Sequence, residues 1–458
     1  MTRKDSSSRA PHGPVGATKL TSHHHRVVIA GGGFAGVTLA QALERALPPP
    51  WEIVVISADN HLVFTPMLPE VVGRTISPLH VVVAGRELTR RTRWLEARIE
   101  RIDREDNLAH YELAGGEKGS IDFSQLVFAC GSVVDLSAIP GLAARGYPLK
   151  TLMDALAMGN DLIGNFEAAA AEPAVEARRR LLTTVVIGGG FSGVEVAGHI
   201  ADLMRAIHGY YPELRGVHPR IVLIQKRDRI LPELEHEGLS RFALKKLREN
   251  KIDVRLEMSA RKVTAQSVEL SSGEEIATGM VVCTVGTDTA PLIKALKLPL
   301  TKGRLPTDPD MRVSGTRNLW AIGDCALIPN AQTGATCPAT AQFAVQQAGQ
   351  LAKNLGRVAA GRPTTPFSFR PRGLLAAIGH RNAVAEIYGV QLSGFLAWFL
   401  WRGVYLWKLP TLGRKIEVAI GWAWSLFFSP NVVQLQLRRS GFPAEPAKGP
   451  SHSPSKDP

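Results

Sequence analysis

One short pattern occurs twice in this chain. RVVIAGGGFAGVTLAQALERAL begins at Arg26 and LLTTVVIGGGFSGVEVAGHIADLM begins at Leu181. Each runs from a β-branched apolar stretch, through a cluster of glycines, into apolar residues at helical spacing. Gly31, Gly33 and Gly36 in the first copy, and Gly188, Gly190 and Gly193 in the second, keep the G-x-G-x-x-G spacing, with the two turns 157 residues apart, from 31 to 188. The missing side chains allow a tight turn, close approach of a pyrophosphate and close helix packing, and a helix N-terminus favours negative charge. A single such turn is weak information, but two in the strand-to-helix context predict an α/β chain with two Rossmann-type units and two dinucleotides.

The second unit reads as an insertion in the first, because the strand LWAIGDCA and a following helix return after residue 305 to complete the opening domain. The expected layout is 26–150 with 305–372 for the first dinucleotide domain and 151–304 for the second. Phe34 and Ala35, at the start of the first helix, join its cofactor-contacting set. Gly131 ends the apolar run FSQLVFACGS, where backbone can approach a dinucleotide. Asp324 closes the strand LWAIGDCA and can accept from a ribityl or ribose hydroxyl. The strand WEIVVIS should end on a ribose-binding acid but ends at Ser57, so Asp59, two residues on, stands equally as ribose ligand or as loop residue.

In the second unit the strand RIVLI is followed by Gln225, where selection of NAD would place Asp or Glu, and then by Lys226, Arg227 and Arg229. Loss of a carboxylate removes repulsion of a 2′-phosphate, and adjacent cations can bind one, so both NADH and NADPH fit. Glu195, expected on the first turn of the helix in the second unit, has two readings: a complement to the helix dipole, or a group beside the reacting end of a nicotinamide. Gln342 and Gln346 are spaced i,i+4 on one helix face. Two neutral amides there can hydrogen-bond a carbonyl without burying charge, or simply face water.

The 458 residues carry a formal net charge of +13, which favours an anionic partner: a nucleic acid, an anionic membrane or a phosphorylated cofactor. Cys130, Cys283, Cys325 and Cys337 form no C-x-x-C pair, which speaks against a disulfide framework and a zinc site. Residues 1–25, with three consecutive histidines and no apolar core, read as a disordered arm, and 441–458 as a disordered tail. Between 373 and 440 the composition changes, and five of the eight tryptophans (Trp398, Trp401, Trp407, Trp422, Trp424) fall there. Arg402, Lys408, Arg414 and Lys415 interrupt every apolar run before the ~18 residues a bilayer span needs. Trp and basic residues among Leu and Phe are the pattern of amphipathic helices in a membrane interface; a dimer interface or a packed core is the other reading.

With GGGFAGVTLA, GGGFSGVEVAGHI, WAIGDCA, TAQFAVQQAG and GLLAAIGHRNAVA in view, the chain resembles the type II NADH dehydrogenases, the non-pumping NADH:quinone oxidoreductases, over about residues 26–437. The resemblance implies FAD in the first domain and NADH or NADPH in the second. It also implies a membrane quinone as acceptor, a monotopic C-terminal anchor on the cytoplasmic face of the inner membrane, a homodimer, and no role in binding nucleic acid. It assigns Gln342 and Gln346 to the quinone side of the flavin, Asp324 to FAD and Glu195 to the nicotinamide side. Three positions depart from the family pattern: Ser57, Gln225, and His199 where GVExAGEL has a glutamate. Two rival readings stand beside it. A sulfide:quinone oxidoreductase requires reactive cysteines beside the flavin, and a flavoprotein-like binding module would use the basic surface for nucleic acid.

Overall fold

The computed structural model describes residues 25–379 and 381–435, so most of the expected N-terminal arm and the whole of the C-terminal tail lie outside the described residues. The first glycine turn follows Arg26–Ala30, a fully buried strand at the centre of a seven-stranded sheet. Glu52–Ser57 and Gln125–Phe128 flank it in parallel, Arg93–Asp103 and Leu319–Ala321 extend the parallel set, and Leu108–Leu113 and Lys118–Asp122 add an antiparallel edge. Burial on both faces accounts for the unbroken Val/Ile/Ala composition of the central strands.

The second glycine turn follows Thr183–Ile187, central in a separate five-stranded parallel sheet with Gly146–Pro148, Met280–Cys283, Arg220–Ile224 and Ile252–Arg255. Because Leu319–Ala321 pairs back with Gln125–Phe128 after this sheet is complete, the second unit is inserted in the first. Gly146–Pro148 already belongs to the second sheet, a few residues before the expected boundary at 150. The outgoing and returning chains run side by side as an antiparallel pair, Ser132–Val134 with Thr287–Thr289.

The stretch from Gly373, expected to be amphipathic helix, opens instead with a three-stranded antiparallel sheet: Gly373–Gly379, Asn382–Ile387 and Val390–Ser393. Its small apolar residues, Ala376 to Ile378 and Ala383 to Ala385, are buried against the helix Phe191–His208 of the second unit. The fit is close: a Cβ on Gly198 would lie 2.4 Å from the Ile378 carbonyl oxygen. The correction has a physical cause, since short apolar runs bounded by glycine are buried strands, and the tryptophans that marked the region all come later. Helix begins only at Gly394, with Gly394–Lys408 followed by Leu412–Ser425. Among the described residues no helix is long and apolar enough to cross a membrane.

Candidate active site

Both glycine turns are built for an anion. Gly31 and Gly188 have φ of +114° and +113°, open to glycine and strained for other residues. A Cβ on Gly36 would sit 1.9 Å from the Gly31 carbonyl oxygen, and one on Gly193 would sit 1.8 Å from that of Gly188. The third glycine of each turn is therefore demanded by helix-to-turn packing. Gly33 and Gly190 cap the two helices with no side-chain hydrogen bond, and neither first turn carries an acid. The helix N–H groups thus stay available to a phosphate. Around Gly33 a Cβ would meet nothing within 4 Å, so the backbone there is open to close approach. These features fit the pyrophosphate of FAD at the first turn and of NADH or NADPH at the second.

The surroundings of Asp324 are assembled from three segments. Asp324 Oδ2 accepts from Ser132 Oγ at 3.3 Å and lies 3.7 Å from Lys150 Nζ, which itself donates to Ser132 Oγ at 3.2 Å. Gly323, at φ +74°, gives its N–H to Gln347 Oε1 at 2.8 Å. Gln347 is buried and locks the helix Ala341–Ala359 onto the Asp324 turn. Gln342 and Gln346 lie on a different face of the same helix; both are half-buried, and neither has a hydrogen-bond partner among the described residues.

A line of aromatic rings leads from the first turn to the C-terminal helices. Phe34 meets Phe64 edge-on at 5.6 Å, Phe64 meets Tyr405 at 6.1 Å, Tyr405 packs on Trp401 at 4.5 Å, and Trp401 lies 6.2 Å from Trp422. Glu195 sits beside this line. It is the fifth residue of its helix rather than part of the first turn, and its Oε1 accepts from Ala377 N at 3.0 Å and Trp401 Nε1 at 3.3 Å. Burial pushes its carboxyl up to about 8 despite these two hydrogen bonds, with Glu70 nearby adding to the rise.

Two family models match this arrangement: pyridine nucleotide-disulphide oxidoreductase over residues 25–348, and the NDH2 C-terminal domain over 372–430. The chain belongs to the pyridine nucleotide-disulphide oxidoreductases, on their type II NADH dehydrogenase branch. It is 32% identical to the demethylphylloquinone reductase NdbB of Synechocystis, covering 88% of this chain and 96% of that one. It is 27% identical to the mitochondrial internal alternative NAD(P)H-ubiquinone oxidoreductase A1 of Arabidopsis thaliana, covering 90% and 86%. The solved NDH2 of Plasmodium falciparum in complex with NADH has the same fold, with a TM-score of 0.82 over 90% of this chain and all of that one, at 19% identity.

Within this type II dehydrogenase fold the other expected residues fall unevenly. Asp59 is exposed, whereas Ser57 lies against the turn, its Oγ 2.8 Å from where a Cβ on Gly32 would be. Gly131 has φ +64° and follows the strand next to the first turn. Gln225 is buried, accepts from Gly189 N at 3.2 Å and donates to the Arg229 carbonyl at 3.0 Å, so it pins the second turn directly. Arg227 is exposed at the strand end, but Arg229 turns back to the carbonyls of Pro232 and Leu234 and pairs with Glu237.

Sequence reasoning missed a second buried carboxyl. Glu70, from the helix Leu68–Val72, accepts from Trp422 Nε1 at 2.6 Å, and burial lifts it to about 7 against the pull of the Arg402 guanidinium. Arg402 lies over the rings of Trp398 at 4.0 Å and Trp422 at 4.7 Å. The stretch HLVFTPMLPEVVG that contains Glu70 is a packed crossover, with Phe64, Met67 and Leu68 in the core. An acid inside an otherwise apolar LPEVV run was the available signal.

Proposed function

We propose that the chain oxidises NADH or NADPH and passes two electrons by way of FAD to a membrane quinone, without pumping protons. The observation that supports this reading is the aromatic line Phe34, Phe64, Tyr405 and Trp401, which runs from the first glycine turn to Glu195 on the helix behind the second turn. Gly31, Gly33, Phe34, Ala35, Gly36, Gly131 and Asp324 hold FAD, while Gly188, Gly190, Gly193, Gln225 and Arg227 hold the nicotinamide nucleotide. Bound FAD supplies a two-electron carrier between a hydride donor and a quinone. The protein's own part is positional. Gln342 and Gln346 offer amide donors to a quinone oxygen, and Glu195, kept protonated by burial, holds a proton beside the same region.

The membrane surface is the third element of the proposal. The two C-terminal helices turn Trp401 and Trp422 inward but leave Phe395, Phe399, Trp407, Ile420 and Trp424 exposed, and Phe427 just after the last helix is 82% exposed. An apolar face of this size, on a chain with net charge +13, fits an anionic membrane interface such as the cytoplasmic face of an inner membrane. A second copy of the chain fits the same face, and a homodimer is part of the reading. The thiols do not favour sulfide chemistry: burial raises Cys283 and Cys337, and hydrogen bonding to Cys325 together with burial raises Cys130, whose side chain is only partly exposed, which disfavours the reactive thiolate in each.

The test is anaerobic stopped flow on the FAD-loaded chain. NADH or NADPH should bleach the flavin and a short-chain quinone should restore its colour; failure of quinone to reoxidise it overturns the activity. Flotation with anionic vesicles, compared for the wild type and a Phe395→Ser/Phe427→Ser variant, tests the surface. Unchanged flotation overturns the membrane assignment, and sedimentation of the detergent-free protein reads the dimer.

A further inference from the structure

The helix Phe191–His208 carries three titratable side chains on one face, Glu195, His199 and Asp202, at i, i+4 and i+7. They pass from interior to surface. Glu195 and His199 are each 7% exposed, whereas the Asp202 side chain is 28% exposed and pairs with Arg205 at 3.0 Å. His199 is the anomaly. Both its Nδ1 and its Nε2 are buried without a hydrogen-bond partner, although a neutral imidazole must present one donor and one acceptor. Its Cβ and Nδ1 face Gly73, where a Cβ would come within 3.0 Å and 3.2 Å of them, so the ring has no room to swing out.

On the proposed quinone reductase reading, we infer that His199 relays protons along this helix face, from solvent at Asp202 to Glu195 at the acceptor site. The reaction sets the need: NADH + H⁺ + quinone gives NAD⁺ + quinol, so one proton per turnover comes from solvent while the hydride and its electron pair come from the nucleotide. Four helical residues rise about 6 Å, too far for direct transfer and suited to one bridging water on either side of the ring. The groups facing His199 favour a neutral relay. Arg402 from Gly394–Lys408 and Asp202 on the same helix are the charged groups that act on the ring, and Gly73 closes it from the side of Leu68–Val72. Burial, aided by Arg402 and opposed by Asp202, lowers His199 to about 4. A neutral ring can accept a proton on one nitrogen while releasing one from the other, leaving no charge in the interior. A third buried carboxyl in its place would add to the two already there.

The test compares His199→Gln, His199→Glu and Asp202→Asn in the FAD-loaded full chain, with the two half-reactions followed separately in H₂O and D₂O. Flavin bleaching by NADH should stay within twofold of wild type in all three. Reoxidation by quinone should slow at least tenfold in His199→Gln with a larger solvent isotope effect, recover substantially in His199→Glu, and slow less in Asp202→Asn. Equal reoxidation rates and isotope effects in His199→Gln and wild type overturn the relay, as does equal slowing in the Gln and Glu variants, which marks a packing role. If both His199 variants fail to bind FAD, the Asp202→Asn isotope effect decides, and a wild-type value overturns the relay. Wild-type protein that does not reduce quinone at all instead defeats the underlying activity.

Discussion

Trp401 and Glu195 share one hydrogen bond, 3.3 Å from indole Nε1 to carboxyl Oε1, that ties the first C-terminal helix to the helix behind the second glycine turn. Trp422 and Glu70 repeat the device for the last helix at 2.6 Å. Each surface-facing helix is thus fastened inward by a tryptophan N–H on a buried acid, and each acid titrates near neutrality because of its burial.

The pH dependence of stability follows. Glu195 rises from 4.5 in the unfolded chain to about 8 in the fold. Between these values the unfolded state has lost a proton that the folded state keeps, so the contribution of this group is fully present below 4.5 and is lost as pH rises to 8. Glu195→Gln should flatten the decline of melting temperature across that window, as read by thermal denaturation at several pH values. An equally steep decline in the variant would contradict the assignment.

Trp422→Phe keeps an aromatic, though smaller, ring and removes the donor, leaving the Glu70 carboxyl buried with one fewer partner. A loss of roughly 1–3 kcal/mol is expected. Chemical denaturation should show it, and Glu70→Gln, which leaves a neutral partner for the indole, should cost less.

Gln225→Glu retains an acceptor for Gly189 N and, on the proposed nucleotide site, adds a negative charge where a 2′-phosphate would be repelled. kcat/KM for NADPH should fall about tenfold or more while that for NADH holds or improves, consistent with about 1.4 kcal/mol per tenfold change. Steady-state kinetics with both nucleotides decide it, and an unchanged ratio would remove Gln225 from the specificity site.

Gly33→Ala and Gly36→Ala separate ligand approach from packing. The Gly36 Cβ meets backbone at 1.9 Å, whereas the Gly33 Cβ has open space. Gly36→Ala should lose FAD together with thermal stability; Gly33→Ala should fold normally and bind FAD more weakly, as read by flavin retention on gel filtration.

Much of the scaffold was legible in the sequence because its determinants are local. A buried β-branched strand, a glycine turn and an apolar-periodic helix need no distant partner to be recognised, and Gly31 through Gly36 and Gly188 through Gly193 stand as expected. Asp324 was expected to close its strand, but the strand stops at Ala321 and Asp324 stands in the Gly323–Cys325 turn, while Gln342 and Gln346 do share one helix. What escaped were contacts set only by tertiary packing. Gln347 differs from Gln346 by one position yet faces the core, and Ser132 and Lys150 reach Asp324 from far along the chain. Glu70 meets Trp422 from 352 positions away, and the sheet from Gly373 was hidden by the tryptophans that follow it.

The paired strands Ser132–Val134 and Thr287–Thr289 carry the chain into the inserted unit and back through a single ribbon. Such wiring makes the second unit a cassette, whose turn at Gln225 can change without disturbing the Asp324 turn of the first. The Gly373–Ser393 sheet sets the true edge of that cassette, because it nests on Gly198 and reaches Glu195 through Ala377. A functional exchange between relatives would have to carry both pieces, two segments distant in sequence and inherited as one.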